Sequence, residues 1–426
     1  MIVQFSVRNF RTFKEKATMS FVASNYNKER EADNITVNEK FNLRLLKSAV
    51  VYGANASGKS KLIEALGFMR SFAISSSRES QQGDKIPVEP FKLSAENENA
   101  PSEFEVIFVH KNIMYRYGFE VDTDKVVSEW LYTKPKTKEV ELFYRDLQEF
   151  EVHERSFGKG NMLVKEGLVR SNALLLSVAA QFNEENSLSC IEWFRSMEII
   201  SGLKEHEFRN NSIGKAKLQE GKTQLLDYLK KADLGIVDLE ILEMKSGKFE
   251  NNPLDTILTA RDKYNNRTKS GKVFMSLSND ESEGTRKYFY LLGPIIDALN
   301  TGSVLVVDEL DSKLHANLVE KIVLLFNSKK MNPSNAQLVF NSHDTNLLNT
   351  GTFRRDQIWF TEKDRYGEAR LYSLADFKTD SVRKTEAFED NYVRGKYGAV
   401  PYLELFENTF NYTLNEPVPN YEKQDE

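Results

Sequence analysis

The sequence predicts an α/β fold with a parallel sheet at its centre, and three kinds of stretch predict it. Residues 47–52 form a short apolar run that feeds Gly53-Ala54-Asn55-Ala56-Ser57-Gly58-Lys59-Ser60, and residues 61–69 then carry apolar side chains at helical spacing. Residues 303–307 are almost wholly apolar and end in Asp308-Glu309. Residues 337–341 and 357–360 are similar short runs. Strands apolar on both sides belong in a parallel sheet covered by helices on both faces.

The other elements follow in order. Residues 2–8 alternate, with Ile2, Phe5 and Val7 apolar and Gln4, Ser6 and Arg8 polar, so they read as a strand, and residues 9–13 as a turn. The polar stretches 75–84 and 94–101 read as loops. Residues 104–109 and 114–121 read as an antiparallel pair turning near Lys111-Asn112, and β character continues through 130–144. From about 160 to 235 the pattern turns helical. Leu174, Leu175, Val178 and Ala179 fit one helix face, Ile191, Trp193, Phe194 and Ile199 a second, and residues 215–231 a third helix that is basic on one side. Strands return at 237–244 and 274–277. The tail from Asn415 is acidic and Pro-containing and reads as disordered.

Composition narrows the function classes. A chain of 426 residues, 40% hydrophobic and 28% charged, can bury a large core and remain soluble. No apolar run approaches the ~18–20 residues of a membrane span, and the first ten residues lack the layout of a signal peptide. With Cys190 as its one cysteine the chain forms no internal disulfide, and the cytoplasm is the expected compartment. A net charge of −5 gives no global nucleic-acid footprint.

The segment 53–60 reads GxxxxGK[ST] between a strand and a helix, the context a phosphate-binding loop requires. Its glycines let backbone N–H groups face phosphate oxygens, and the helix start adds its positive dipole end. Lys59 would reach the β- and γ-phosphates and Ser60 would hold Mg²⁺. Gly53, Asn55, Ser57, Gly58, Lys59, Ser60 and Lys61 are the candidate contacts to ATP. In the strand that ends in acids, Asp308 would orient Mg²⁺ and Glu309 would polarise the attacking water. A core strand ending in solvated acids is the plain alternative, and the phosphate loop upstream weighs against it. Ser282-x-Gly284 precedes an apolar helix over 288–299, where it reads either as an anion site or as an ordinary cap. His343 ends another apolar strand. It reads either as a capping histidine or as a donor to a γ-phosphate. His110, His153, His206 and His315 have no metal-ligand spacing and read as structural.

The order of phosphate loop, Ser-x-Gly helix start, Asp-Glu strand, Asp311 and strand-end His343 resembles the ABC/SMC superfamily of ATPases. The stretches GANASGKS, IVQFSVRNFRTF, PSEFEVIF with YRYGFEVD, FNSHDTNLL and GKYGAVP are similar to prokaryotic ABC-like AAA family ATPases of phage-defence operons, of the AbiL, RloA and PARIS type. This resemblance covers nearly the whole chain. It implies an ABC/SMC-type head, with a mixed β-sheet lobe, a parallel RecA-like core and a mainly helical insertion. It also implies ATP and Mg²⁺ as ligands, and a homo-oligomer, at least a dimer, in which Ser282 and Gly284 bind the nucleotide of the opposite subunit. Asp311 would be the D-loop residue and His343 the switch histidine.

Three departures stand out. The signature reads ESEGT, with Glu281 and Glu283 where transporters carry small residues. Ala56 stands where SMC-type loops usually carry Gly. No Q-loop glutamine can be assigned, and Gln81 and Gln82 are poor candidates. The expected organisation is a head half over 1–145 with the phosphate loop, a mainly helical insertion over 146–235, a second head half over 236–380 and an extension over 381–426. The expected function is an ATPase that controls a separate nuclease or toxin-like effector in antiviral defence by abortive infection. Residues 160–235 and 392–401 are surplus to a head and available to dock that partner. The alternative is an ABC/SMC-like repair or recombination ATPase that binds DNA directly, with Arg383, Lys384, Arg394 and Lys396 as candidate contacts; a solvated basic face is the plain reading of those four.

Overall fold

The alternating stretch at the N-terminus becomes strand β1 (Ile2–Arg8), paired with β2 (Ala17–Ser20). The structure, a computed structural model, describes residues 1–25, 30–79, 81–201, 205–242, 257–349, 351–377 and 387–401. A short helix, α1 (Glu31–Asn34), and the pair β3 (Ile35–Asn38) and β4 (Leu43–Leu46) lead into β5 (Ser48–Tyr52) and helix α2 (Lys59–Ser75). After α3 (Ala95–Glu98) come β6 (Ser102–His110), β7 (Ile113–Val121), β8 (Val126–Lys134), β9 (Val140–Asp146) and β10 (Glu149–Val152). Lys111 and Asn112 turn β6 into β7 with φ of 46° and 63°, the left-handed pair that matches the twist of a tight hairpin.

Helices α4 (Gly158–Lys165), α5 (Leu175–Gln181) and α6 (Glu185–Ser196) precede strand β11 (Glu198–Ile200). Helices α7 (Glu205–Ala216) and α8 (Gln219–Lys231) precede β12 (Asp238–Ile241), and the hairpin β13 (Ile257–Asn265) and β14 (Thr268–Ser276) leads to α9 (Glu283–Thr301). The chain closes with β15 (Val304–Val307), α10 (Ala316–Asn327), β16 (Gln337–Asn341), β17 (Ile358–Lys363), β18 (Ala369–Ser373) and α11 (Phe388–Val393).

The strands form two large sheets. One is antiparallel throughout, in the order β10-β9-β8-β7-β6-β1-β2. The other runs β11-β15-β16-β5-β17-β18 and is parallel except for β18 at its edge. The fold is therefore α/β, as the apolar strands predicted. Period-two alternation divides the parallel sheet between two cores. Ala49, Val51, Val304, Val306, Val339 and Trp359 pack with α2, α5, α6 and the antiparallel sheet. Val50, Tyr52, Leu305, Val307, Leu338 and Phe340 pack on the other face with α9 and α10. Helices on both faces leave the C-terminal strand ends free to carry polar groups.

Two polar arrangements lock these layers. Glu129 on β8 and Arg145 on β9 are fully buried and 3.7 Å apart. Glu129 accepts from the N–H groups of Leu175 and Leu176 at 2.7 and 2.9 Å and from the Tyr117 hydroxyl at 3.1 Å. Arg145 donates to the carbonyls of Ala173 and Leu147 at 2.7 and 2.6 Å. The pair thus ties the antiparallel sheet to the start of α5. In α9, Pro294 has no N–H to give the Tyr290 carbonyl, and Ser212 of α7 donates to that carbonyl instead, at 2.6 Å.

Several sequence expectations need correction. Ile199 lies not on a helix but in β11, because α6 ends at Ser196 and the next residues pair with β15. The helical stretch 160–235 thus contributes a strand to the parallel sheet. The single helix expected over 215–231 is broken between Ala216 and Gln219, and the loop at 94–101 contains α3. The segment 392–401 is partly packed into the core rather than wholly surplus to the head. Tyr392 and Tyr397 are buried among Tyr52 and Phe360, and the Tyr392 hydroxyl donates to the Ala399 carbonyl at 3.1 Å. Arg394 and Lys396 remain exposed. Arg383, Lys384 and the tail from Asn415 lie outside the described residues, as does the His206 side chain.

Candidate nucleotide site

The fully buried strand β5 delivers the chain to Gly53, and Gly58 ends the loop at the N-terminus of α2. Gly58 has φ 117°, and a Cβ there would come within 3.1 Å of Thr12 Oγ1 and Ala369 Cβ. A Cβ on Gly53 would overlap Thr361 and the Ser57 hydroxyl. Ser57 Oγ is bonded to Thr361 Oγ1 at 2.7 Å, so β17 supports the loop from below. Asn55 and Ala56 are exposed at its crest. Ala56 sits at φ 60°, a left-handed conformation that costs a non-glycine residue about 1 kcal/mol. The departure from Gly at this position is therefore real strain at the loop tip.

Lys59 is buried, and its Nζ donates to the Gly53 and Ala54 carbonyls at 2.7 and 3.0 Å. Burial pushes its pKa down, against the pull of Glu309, Asp308 and Asp311. Lys61 pairs with Glu64 at 2.8 Å, and Glu64 also meets Arg11 at 2.5 Å.

The parallel sheet brings Asp308 to the loop. Ser60 Oγ donates to Asp308 Oδ1 at 2.9 Å across 248 residues of sequence. Asn341, at the end of the neighbouring strand β16, donates its side-chain amide to the same carboxylate oxygen and accepts from the Glu309 N–H. Glu309 itself is exposed and sits at φ 54°. Sequence reading gave Asn341 no role. Its only signal was a polar residue closing an apolar strand one register position from the Asp-Glu pair.

Asp311 Oδ2 accepts from the His343 and Asp344 backbone N–H groups at 3.0 and 3.1 Å, and its Oδ1 is buried without a hydrogen-bond partner among the described residues. The His343 ring is exposed and makes no hydrogen bond to a described residue. Ser282 caps α9, accepting from the Thr285 N–H at 3.2 Å. Gly284 is packed so that a Cβ would lie 2.6 Å from the Lys313 carbonyl. The acids around Ser282 have their own work. Glu281 turns inward, accepting from Thr259 at 2.6 Å and Arg261 at 2.7 Å, and so anchors the signature turn to β13. Glu283 faces solvent and meets Lys313 at 3.4 Å. The structure thus gathers Lys59, Ser60 and Asp308 at one point. It holds Glu309 beside them, and packs Gly284 against the loop after Glu309 within one chain.

The residues fit Mg²⁺ and a nucleotide triphosphate. Ser60 and Asp308 present two hard oxygen ligands side by side, suited to Mg²⁺. The loop has no room for side chains at Gly53 or Gly58. Thr12 Oγ1 lies buried against Gly58 with no hydrogen-bond partner among the described residues.

The family model described as "AAA domain, putative AbiEii toxin, Type IV TA system" matches residues 48–349. Among solved structures, the SMC head domain from Thermotoga maritima is 12% identical, with 87% of this chain and 98% of that one covered at a TM-score of 0.42. An SMC head bound to the C-winged helix domain of ScpA is 11% identical, with 87% and 97% covered at a TM-score of 0.45. No curated protein matches the sequence. Among the described residues, no helix is long and apolar enough to cross a membrane.

Proposed function

The chain belongs to the AAA domain family described as putative AbiEii toxin, type IV TA system, and on that premise we propose that it binds and hydrolyses Mg²⁺–ATP to control a separate effector protein. The observation that carries the ATPase reading is the Ser60–Asp308 hydrogen bond of 2.9 Å beside Lys59. It joins the phosphate loop to the acid-tipped strand where a metal-bound triphosphate would sit. Mg²⁺, when bound, offsets charge on the β- and γ-phosphates. Lys59 would leave the Gly53 and Ala54 carbonyls for phosphate oxygens. Glu309 would take a proton from the attacking water, while Asn341 holds Asp308 and the Glu309 backbone in place. The family description sets the domain in a toxin–antitoxin context, and the defence role and the partner effector rest on the motif resemblance.

Lys59→Ala tests the first step. A lost charge-assisted contact of ~1.5–3 kcal/mol predicts an ATP affinity about 10- to 100-fold weaker. An equilibrium titration on protein shown to be folded by circular dichroism reads it. Wild-type affinity in that variant would end the assignment.

Ser282 and Gly284 are proposed to act on the nucleotide of a second copy. Ser282→Arg should then spare ATP binding but block hydrolysis. Mixed with Lys59→Ala subunits it should regain activity, because one composite site would join an intact phosphate loop to an intact signature. No recovery in confirmed mixed oligomers argues for a site within one chain.

A further inference from the structure

The signature helix and the acid-bearing loop meet at one buried lysine. Lys287 lies one turn into α9, where the apolar stretch of the helix begins, and is 8% exposed. Its Nζ donates to the Glu309 carbonyl at 2.8 Å and to the Ser312 carbonyl at 2.7 Å. These carbonyls bracket the turn Glu309–Ser312, which contains Asp311. The turn departs from relaxed backbone twice, at Glu309 with φ 54° and just beyond it at Lys313 with φ 63°. A left-handed conformation at a non-glycine residue persists only where the surroundings hold it. At Glu309 the Asn341 amide oxygen takes the N–H and Lys287 takes the C=O, so both sides of the residue are tethered.

We propose that Lys287 is a positioning residue for hydrolysis. By gripping the Glu309 and Ser312 carbonyls, it holds the Glu309 carboxylate in its working orientation and ties that orientation to the helix that begins at Ser282. The proposal rests on the ATPase reading above and deepens it. Gly284 makes a second contact between the same two elements, since only a residue without a Cβ leaves the Lys313 carbonyl its place. A displacement of the helix start is thus passed to the turn that carries the acid. The lysine itself touches no nucleotide in this reading. Its removal should therefore lower turnover and leave ATP binding intact.

The test compares Lys287→Met, which keeps the stem and loses the donors, with Lys287→Arg, which restores a cation with several donors. In Lys287→Met, kcat should fall at least ~10-fold while KM and ATP affinity stay within about threefold, because a small misplacement of a reacting group costs rate rather than binding. Lys287→Arg should recover turnover to within about threefold of wild type, since guanidinium can grip two carbonyls. A Met variant with turnover within about twofold of wild type overturns the proposal, as such a change is too small for a lost positioning contact. So does a Met variant that loses ATP affinity or thermal stability in proportion to its rate, which marks a merely structural lysine. An Arg variant as stable as wild type but no faster than Met overturns the role of the cation. Wild-type protein without Lys59-dependent turnover would instead bring down the ATPase reading, and this proposal with it.

Discussion

Glu309→Gln should bind ATP as wild type does and turn it over at least ~10²-fold more slowly, the scale of a lost general base. Glutamine preserves size and hydrogen-bonding reach but cannot accept the proton of the attacking water. The backbone at this position is held by Asn341 and Lys287 through the main-chain N–H and C=O, so the substitution leaves those tethers untouched. The effect is expected in kcat, measured by phosphate release under saturating ATP, with affinity measured separately. ATP that binds and stays should also enrich a nucleotide-loaded assembly in size-exclusion chromatography. Turnover within about twofold of wild type would move the base elsewhere, because that is far below general-base magnitudes.

Glu129→Leu should destabilise the fold by ~3–5 kcal/mol, the range for a buried ion pair broken from one side. The substitution strands the Arg145 guanidinium in the core and removes the acceptor of the Leu175 and Leu176 N–H groups at the start of α5. Chemical denaturation reads the loss. The double variant Glu129→Leu/Arg145→Leu should lose less than the sum of the two single variants, because no buried charge is then left without its partner. Equal additivity would mean that the two side chains stabilise the layer independently. Neither residue lies in the nucleotide site, so ATP affinity of the folded fraction should be preserved.

Much of the parallel sheet was legible before any coordinates, because its strands are short, apolar on both sides and bounded by polar turns. Residues 337–341 are β16 without a residue of difference, and 303–307 differs from β15 by one. The misreading of Ile199 has a definite cause. A three-residue strand following a helix continues the helical spacing long enough to hide the change, and only its pairing with β15 reveals it. The glutamates of ESEGT looked like departures from a phosphate-binding signature. Glu281 instead faces inward to Arg261 and Thr259, a role that depends on a hairpin about twenty residues upstream.

By itself the sequence determined the α/β class and a glycine-rich loop between a strand and a helix, since that turn and its flanking elements are contiguous and carry their own geometric reasons. It also determined that an acid-tipped strand accompanies that loop. Tertiary structure alone decided that Asp308 meets Ser60 across 248 residues, that Asn341 spans Asp308 and Glu309, and that Lys287 grips the turn after β15. Those contacts are single hydrogen bonds between elements distant in the chain. They have no periodicity to read, and they exist only because parallel strands place their C-terminal ends side by side.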